Sequence, residues 1–261
     1  MELALACPAC RSATLALPED RPSTECSACG QTYERGRFVW VLVAPQFVPA
    51  DSPLWQAWNQ LQKNGMASYA ADPERNLSVG ERQDCHRFAE FCHARGLVLD
   101  VGCGPQPWPA YFERADGRTY VGVDPLADES PSEFMKFAAL AEHLPFGSAT
   151  FDHILFSTTL DHFVDPAVAL AEASRVCRPD GEIDVWLGEK APDSPPHAIS
   201  PEWYRRLERP ALAEDVFHIR RLTADLFMDA LDRSPLTVRD HVAHEIDEYR
   251  TNHFFRLVHR R

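Results

Sequence analysis

The stretch Val98-Leu-Asp-Val-Gly-Cys-Gly104 decides how the rest of this sequence is interpreted. Its apolar run predicts a short strand at Leu97–Val101, and the glycines that follow predict a tight loop at the carboxyl end of that strand. Glycines there let a ligand approach the backbone, and open α/β sheets bind ligands at the carboxyl ends of their strands. By itself the loop indicates only a nucleotide-like ligand.

A second predicted strand ends on a carboxylate, in Val121-Gly-Val-Asp124. An acidic residue about 20 positions after a glycine loop typically receives ribose hydroxyls. The two features together narrow the ligand to a cofactor that contains a nucleoside. A dinucleotide fingerprint requires G-x-G-x-x-G, and Pro107 stands where its third glycine would be.

The chain from Leu97 onward alternates short apolar runs with helical stretches, which predicts a mostly parallel sheet. The predicted strands are 97–101, 119–123, 153–156, 181–187, 236–243 and 254–258, and the predicted helices lie near 110–115, 167–176 and 223–231. The Pro-rich stretch from Ala191 to Pro201 is interpreted as a loop over the ligand-binding edge of the sheet.

Three later motifs identify the family. They are Ala141-Glu-His-Leu-Pro-Phe146, Phe151-Asp-His-Ile-Leu-Phe156 and Arg175-Val-Cys-Arg-Pro-Asp-Gly181, and they follow the two cofactor motifs in order. Across roughly residues 95 to 260 the set resembles the class I S-adenosylmethionine-dependent methyltransferases. That resemblance implies a Rossmann-like, mostly parallel seven-stranded sheet flanked by helices.

The resemblance also implies roles for individual residues. Asp100 and the loop residues Gly102, Cys103 and Gly104 are expected at the methionine end of S-adenosylmethionine, and Asp124 at its ribose. The expected adenine neighbours are Glu142, His143 and Leu144, and the residues expected near the sulfonium and the acceptor are Ser157 and Thr158.

The sequence departs from the family pattern at two places. Leu140 stands where many relatives carry an acid that holds the adenine amino group. The loop after Gly104 contains Pro105, Pro107 and Pro109, and proline fits only the first turn of a helix. The helix that follows the loop is therefore expected to begin late.

Candidate catalytic residues follow from the chemistry of methyl transfer. Displacement at a sulfonium mainly requires that donor and acceptor be aligned, and an oxygen acceptor also needs a base. The candidates are Asp161 and His162, which follow the strand that ends at Phe156, and His218 in a later segment. Two alternatives stay open, with His162 as a packing or helix-start residue and Asp161 as a loop hydrogen-bonding residue.

The N-terminal segment contains the pairs Cys7-Pro-Ala-Cys10 and Cys26-Ser-Ala-Cys29-Gly30, followed by a β-rich run at 36–43. Two Cys-x-x-Cys turns supply four thiolates to one tetrahedral zinc ion, and a full protein ligand set leaves no open position for catalysis. We expect a structural zinc ribbon over residues 1–44, with Gly30 providing the backbone conformation of its second turn.

These features predict three parts of the chain, which are a ribbon at 1–44, a connector with N-terminal helices at 45–96 and a methyltransferase domain at 97–261. The connector includes an aromatic helix at 54–61 and a second helix that begins with the capping box Ser78-Val-Gly-Glu81. In that second helix Cys85, Phe88 and Cys92 fall at helical spacing, which predicts core positions that do not bind metal.

The bulk properties limit the partners. A formal net charge of −13 disfavours nucleic acid, because affinity for phosphate backbones depends on Lys and Arg. The N-terminus shows no signal-peptide pattern and no apolar run is long enough for a membrane helix, so a cytoplasmic protein with no membrane partner is expected.

Three hypotheses of different classes remain. The first is methyl transfer to a hydroxyl or amine of a small molecule, such as a sugar or a natural-product intermediate. The second is a ribosomal RNA base methyltransferase, since such enzymes also pair a zinc ribbon with this domain. The third is a non-catalytic, cofactor-binding partner protein. The acidity of the chain favours the first.

Overall fold

The protein is organised around one continuous sheet. The computed structural model describes residues 3–12, 15–73, 82–109, 112, 118–191 and 202–260. Within these residues the strands are β1 (Ser23–Glu25), β2 (Thr32–Arg35), β3 (Trp40–Val41), β4 (Leu97–Val101), β5 (Thr119–Val123), β6 (Met135–Ala138), β7 (Phe151–Ser157), β8 (Cys177–Lys190), β9 (Leu236–Asp247) and β10 (Arg250–His259). They pair in the order β1-β2-β3-β6-β5-β4-β7-β8-β10-β9.

Seven of these strands form the expected Rossmann-like sheet. The strands β6, β5, β4, β7 and β8 run parallel, whereas β10 is antiparallel to both β8 and β9. The central strand β4 is buried along its whole length, as expected of an apolar parallel strand covered on both faces. The prediction of a mostly parallel seven-stranded sheet is confirmed.

All six strands that the sequence predicts are present, and the seventh is one that the pattern does not predict. Strand β6 contains Lys136, which interrupts its apolar run, yet this lysine is only 4% exposed. The strands β7 to β10 extend beyond their predicted limits by up to four residues at an end. Pairing with neighbouring strands lengthens these strands, and the pattern of apolar residues does not predict where such pairing ends.

The cysteine-containing N-terminal segment extends the sheet. Strands β1, β2 and β3 form an antiparallel ribbon, and Trp40 and Val41 of β3 pair in parallel with Phe137 and Ala138 of β6. Of the β-rich run predicted at 36–43, only Trp40–Val41 is a strand. The ribbon is thus joined to the edge of the central sheet by main-chain hydrogen bonds.

The helices pack against both sides of the sheet and begin where the sequence supplies caps. They are α1 (Pro53–Ala71), α2 (Gln83–Cys92), α3 (Pro166–Val176), α4 (Glu202–Arg205) and α5 (Ala224–Asp232). The Asp165 carboxylate accepts hydrogen bonds from two backbone N–H groups at the start of α3, and Pro166 occupies the first turn. Thr223 caps α5 in the same way.

The connector differs in detail from expectation. Helix α1 extends ten residues past the predicted end at 61, and a short 3-10 turn, Pro45–Phe47, precedes it. Helix α2 ends at Cys92, because His93 adopts a left-handed conformation with φ 46°. Cys85, Phe88 and Cys92 are buried, which confirms them as core positions.

Some predictions fall on residues outside the described ranges. They are the capping box at 78–81, nearly all of the helix near 110–115 and all but the first residue of the loop at 191–201. Among the helices of the described residues, none has the length and apolar character needed to cross a membrane.

One apolar core joins the ribbon to the central sheet. Tyr33 and Leu42 belong to the same buried cluster as Val121, Phe137 and Phe146. Main-chain hydrogen bonds reinforce the contact, since Ala6 N donates to Pro145 O at 3.0 Å. Loosening the ribbon would therefore expose part of the core of the larger sheet.

Asp128 links the ribbon to the turn after β5. Its carboxylate accepts hydrogen bonds from the backbone N–H groups of Arg37, Phe38 and Val39. Burial acts to raise the pKa of Asp128, but these three donors outweigh it and hold the pKa below its usual range.

We predict that Asp128→Ala lowers the free energy of unfolding by about 1–3 kcal/mol at pH 7, because three backbone donors lose their acceptor. The folded-state pKa is depressed, so this contribution is complete above the unfolded pKa of about 3.9 and is lost as the pH falls through the folded value. Urea unfolding at pH 7 and pH 3 measures it. Asp20→Ala, an exposed ribbon residue, is the control, and an equal effect of both variants would contradict the prediction.

Candidate functional site

A cavity of about 430 Å³ opens at the carboxyl ends of β4, β5 and β7. Parallel strands bring the loops that follow them to this one edge, which is where open α/β sheets bind ligands. Eight of the candidate cofactor-binding and catalytic residues line the cavity, namely Gly102, Gly104, Asp124, Glu142, Ser157, Thr158, His162 and His218.

The glycine loop after β4 has the backbone conformation that its sequence predicts. Gly102 and Gly104 have φ values of +83° and +65°, which side chains disfavour. A Cβ on Gly102 would also lie 2.5 Å from the Thr159 side chain. Asp100 and Cys103 are buried, at 1% and 3% exposure, and neither lines the cavity. They lie beneath the loop, on its protein side.

Asp124 connects the loop after β4 to the loop after β5. Its carboxylate accepts hydrogen bonds from Gly104 N at 2.8 Å and from Leu126 N at 2.7 Å. Burial raises the pKa of Asp124, although both bonds act in the opposite direction. The carboxylate is thus fixed in the cavity wall beside the glycine loop.

Lys136 is a part of the site that sequence reasoning missed. Its ammonium donates a hydrogen bond to Gly104 O at 3.0 Å and another to Gln106 O. Burial lowers the pKa of Lys136, and the nearby Asp124 charge opposes that shift. The only signal in the sequence was a lysine inside an apolar run, which by itself more often marks a surface position.

The segment expected to border an adenine contributes to the cavity through Leu140, Ala141 and Glu142. The Glu142 carboxylate turns toward α3 and accepts hydrogen bonds from Val164 N at 2.9 Å and Asp165 N at 3.2 Å. Burial raises the pKa of Glu142, while these donors act to lower it. Glu142 therefore fixes the course of the backbone along this side of the cavity.

His143 and Leu144 lie outside the cavity lining. The His143 ring stacks on Phe47 of the connector, with ring centroids 3.4 Å apart. Leu144 is buried in the core, and its N–H donates to Glu172 Oε2 at 3.1 Å. Both residues hold the 140–147 segment against its neighbours.

The chain after β7 lies against the mouth of the glycine loop. Thr158 has φ +56°, an uncommon value for a β-branched residue, and its N–H donates to Trp186 O at 2.9 Å. The Thr159 hydroxyl donates to Val101 O, also at 2.9 Å. A strained backbone conformation persists only where surrounding contacts hold it in place. The two hydrogen bonds hold this segment, and Ser157 and Thr158 line the cavity.

The three candidate catalytic residues come together, although His218 lies more than 50 residues after the adjacent Asp161 and His162. His218 Nε2 lies 3.4 Å from Asp161 Oδ2, and the His162 and His218 ring centroids are 4.4 Å apart. Two of the three, His162 and His218, line the cavity, and Asp161 supports them from the side. Burial lowers the pKa of His162, which favours its neutral form.

Asp215 is a second partner of this cluster that the sequence did not reveal. His218 Nδ1 lies 2.8 Å from Asp215 Oδ1, and Arg221 Nε donates to Asp215 Oδ2 at 2.8 Å. Burial acts to raise the pKa of Asp215, but His218 and Arg221 hold it well below its usual range. Asp215 thus remains an ionised acceptor that orients the His218 ring.

Helix α1 and the 208–218 segment cover the cavity. Asn64 of α1 donates to the carbonyls of Glu208 and Val216, both at 2.7 Å, and Trp58 Nε1 donates to His162 O at 3.0 Å. These bonds join the covering elements to the histidine cluster.

Two buried polar atoms of cavity-lining residues find no hydrogen-bond partner within the described part of the chain. They are Gln106 Oε1, an acceptor, and Trp186 Nε1, a donor. Buried polar atoms are normally paired, so an unsatisfied donor and acceptor in a cavity wall indicate groups that a ligand completes.

The four N-terminal cysteines form one cluster in the ribbon. Their sulfur atoms all lie within 4.8 Å of one another, and the pairs Cys7–Cys29 and Cys10–Cys26 are each 3.7 Å apart. Four thiolates at about 2.3 Å from a tetrahedral zinc ion are separated by about 3.8 Å. The geometry therefore suits a tetrahedral metal ion.

The two cysteine turns have the same backbone pattern. Arg11 N donates to Cys7 O and Gly30 N donates to Cys26 O, and these two donors have φ values of 59° and 73°. The conformation expected of Gly30 is thus present in both turns. The Tyr33 hydroxyl lies 3.1 Å from Cys7 Sγ and supports the cluster from the core side.

Part of the chain that forms the cavity is similar to a described family. Residues 99–184, which include the glycine loop, Asp124 and the residues after β7, match the family model for a methyltransferase domain. The chain is 28% identical over 142 residues to an uncharacterised methyltransferase of Schizosaccharomyces pombe, covering 46% of this chain and 49% of the relative. It is 29% identical over 185 residues to an O-methyltransferase of Penicillium expansum, covering 63% of this chain and 66% of the relative. The chain thus spans about half to two thirds of the length of these relatives.

The fold is similar to a crystal structure of 1,6-didemethyltoxoflavin-N1-methyltransferase from Burkholderia thailandensis. That structure has 1,6-didemethyltoxoflavin and S-adenosylhomocysteine bound, and the match covers 91% of this chain and 100% of the other, with a TM-score of 0.54 and 18% identity. At this level of identity the likeness shows a shared fold.

Proposed function

We propose that this chain is a class I S-adenosylmethionine-dependent methyltransferase, which transfers a methyl group from S-adenosylmethionine to a small-molecule acceptor. The observation that carries the proposal is the cavity in which the glycine loop and the buried Asp124 meet at the carboxyl ends of the parallel strands. The same elements lie within the residues that match the methyltransferase domain.

The residues of the cavity fit this cofactor. We assign the methionine end to the loop of Gly102 and Gly104 with Asp100 and Cys103 beneath it, and the ribose hydroxyls to Asp124. Leu140, Ala141 and Glu142 would border the adenine, with His143 and Leu144 supporting them from outside the cavity. The unsatisfied Gln106 Oε1 offers an acceptor to the cofactor's ammonium group. When bound, the cofactor supplies a sulfonium methyl group.

The acceptor end of the cavity is assigned to the residues after β7 and their partners. Ser157 and Thr158 would face the reacting centre, and Asp161, His162 and His218 would assist loss of the proton from an acceptor hydroxyl or amine. Trp186 Nε1 is a further donor available to orient the acceptor. This arrangement serves alignment and proton removal, the two requirements of methyl transfer to oxygen.

A small acceptor is favoured over RNA for two reasons. The net charge of −13 repels a phosphate backbone, and the described covering elements leave a cavity of about 430 Å³. Relatives of this chain include an O-methyltransferase, and the similar Burkholderia thailandensis structure contains a small heterocycle. The acceptor class proposed here is a hydroxyl-bearing or amine-bearing metabolite.

We also propose that the ribbon binds one structural zinc ion through Cys7, Cys10, Cys26 and Cys29. All four ligands are thiols of the chain, so the ion would stabilise the ribbon and take no part in methyl transfer. We also propose a cytoplasmic location, where a reducing environment keeps cysteines available as metal ligands.

The cofactor assignment predicts that the chain binds S-adenosylhomocysteine and that Asp124→Asn weakens this binding about 10- to 100-fold. The reason is the loss of a charged acceptor for the ribose hydroxyls, worth about 1–3 kcal/mol. Isothermal titration calorimetry measures the affinity. Asp180→Asn, an exposed site at the opposite end of the sheet, is the matched control. Absence of binding by the wild-type chain would refute the proposed function.

The acceptor assignment predicts transfer of radiolabel from the cofactor's methyl group into the small-molecule fraction of a metabolite extract. Total RNA offered in parallel should remain at background, because the net charge of −13 disfavours binding to a phosphate backbone. Labelled RNA, at a level that falls as salt rises, would favour the RNA methyltransferase. Absence of radiolabel from both fractions at saturating cofactor would favour the hypothesis of a non-catalytic partner protein.

The zinc assignment predicts one zinc ion per chain in the ribbon by mass spectrometry and its loss in Cys29→Ser. Because the ribbon shares its core with the central sheet, the variant should also have a free energy of unfolding that is lower by at least about 3 kcal/mol. Ser27→Ala, an exposed residue in the same turn, is the control. A ribbon that keeps its stability after loss of its zinc would contradict a structural role.

A further inference from the structure

The cluster of Asp161, His162 and His218 has the composition of a metal site. One ligand atom from each residue lies within 4.8 Å of the other two, and no cysteine takes part. Three ligands that share an ion at about 2.1 Å lie about 3–4 Å apart. The His218 Nε2–Asp161 Oδ2 distance of 3.4 Å lies in this range, and the other two separations are at most 4.8 Å.

Both histidines are oriented in the manner of metal ligands. The Nδ1 of His162 lies 3.2 Å from Phe217 O, and because a carbonyl only accepts, this nitrogen carries the hydrogen. The Nδ1 of His218 is held by the Asp215 carboxylate at 2.8 Å. Metal-binding histidines nearly always donate their second ring N–H to a carboxylate or a backbone carbonyl. In both rings Nε2 is the nitrogen left for a cation.

The charges around the cluster also suit a cation. Arg221 pairs with Asp215 at 2.8 Å and offsets its charge. The negative charge on the ligand side is then that of Asp161, which lies 3.4 Å from His218 Nε2. An ionised carboxylate beside two imidazole nitrogens is a donor set that first-row divalent metals favour.

We propose that Asp161, His162 and His218 bind a divalent transition-metal cation in the acceptor half of the cavity. A set of two histidines and one carboxylate leaves open coordination positions. His162 and His218 line the cavity, so those positions face the space where an acceptor would lie. The proposal rests on the proposed function only in assigning this space to the acceptor.

The cation defines a class of acceptor for the proposed reaction. With more than one position open, it would bind a hydroxyl together with an adjacent oxygen, as in a catechol, an enol next to a carbonyl or a vicinal diol. Binding lowers the pKa of the hydroxyl, whose proton leaves to water. The acceptor oxygen then forms a bond to the methyl carbon as the sulfur–methyl bond breaks, which releases S-adenosylhomocysteine.

The test uses the full chain with its cysteine site loaded with zinc, and Mn²⁺ as the probe. Mn²⁺ prefers oxygen and nitrogen ligands to thiolates, so it does not compete for the ribbon. Loss of the free Mn²⁺ signal in electron paramagnetic resonance counts bound ions, and mass spectrometry counts any zinc beyond the ribbon's ion. We expect one additional cation per chain.

The variants locate the ion. Asp161→Asn, which keeps the side-chain volume, and His218→Gln should each abolish the additional binding, and Asp215→Asn should weaken it about 10- to 100-fold through loss of ring orientation. His241→Gln is the matched control, because His241 and His253 form a histidine pair 3.0 Å apart on the surface hairpin of β9 and β10. It should leave the additional binding intact.

Two results would overturn the proposal. One is that neither Mn²⁺ nor zinc binds beyond the ribbon's ion. The other is additional binding that Asp161→Asn and His218→Gln leave unchanged. S-adenosylhomocysteine affinity, measured without added cation, is a separate readout. Its absence would refute the proposed function while the cation result still stands or falls by itself.

Discussion

The parallel pairing of β4 with β5 on one side and β7 on the other is the constraint on which the site depends. Parallel register places the carboxyl ends of these three strands side by side. The glycine loop, Asp124 and the Ser157–Thr158 pair each follow one of these ends, so pairing alone brings them to a single edge. A slip of register would separate them, because the loops take their positions from the strands.

Buried charges fix the loops that the strands bring together. Asp124, Lys136 and Glu142 are each at most 8% exposed, and each engages two backbone groups. Burying an ionised group is costly unless hydrogen bonds satisfy it. The hydrogen bonds of each of these side chains are therefore satisfied in only one arrangement of the surrounding backbone. The cavity walls are held in this way before any ligand enters.

The ribbon packs against the segment that directly follows the adenine side of the cavity wall. The segment from Leu144 to Phe146 contacts the ribbon through Ala6 and contacts α3 through Arg175, which donates to the carbonyls of Leu144 and Phe146. Glu172 of α3 in turn pairs with Arg11 in the first cysteine turn at 2.8 Å. An ordered cysteine cluster thus supports the adenine side of the proposed cofactor site from more than one direction.

The sequence by itself determined the α/β class, six of the seven strands of the central sheet and the two cysteine pairs that meet in the ribbon, because these depend on local periodicity, glycine conformation and cysteine spacing. The seven-stranded, Rossmann-like form was implied by the resemblance to a family. A part of the cavity lining could also be predicted, since Gly102, Gly104 and Asp124 follow strand ends that the pattern marks. Only the tertiary structure decided that β6 exists, that the ribbon joins its edge, and that Asp161, His162 and His218 meet with Asp215. Those outcomes depend on contacts between residues far apart in the chain, where a buried lysine or a loop aspartate has no periodicity to reveal it. His143 and Leu144 were expected at the adenine but lie outside the cavity lining, because contacts with Phe47 and Glu172, distant in sequence, decide where they point.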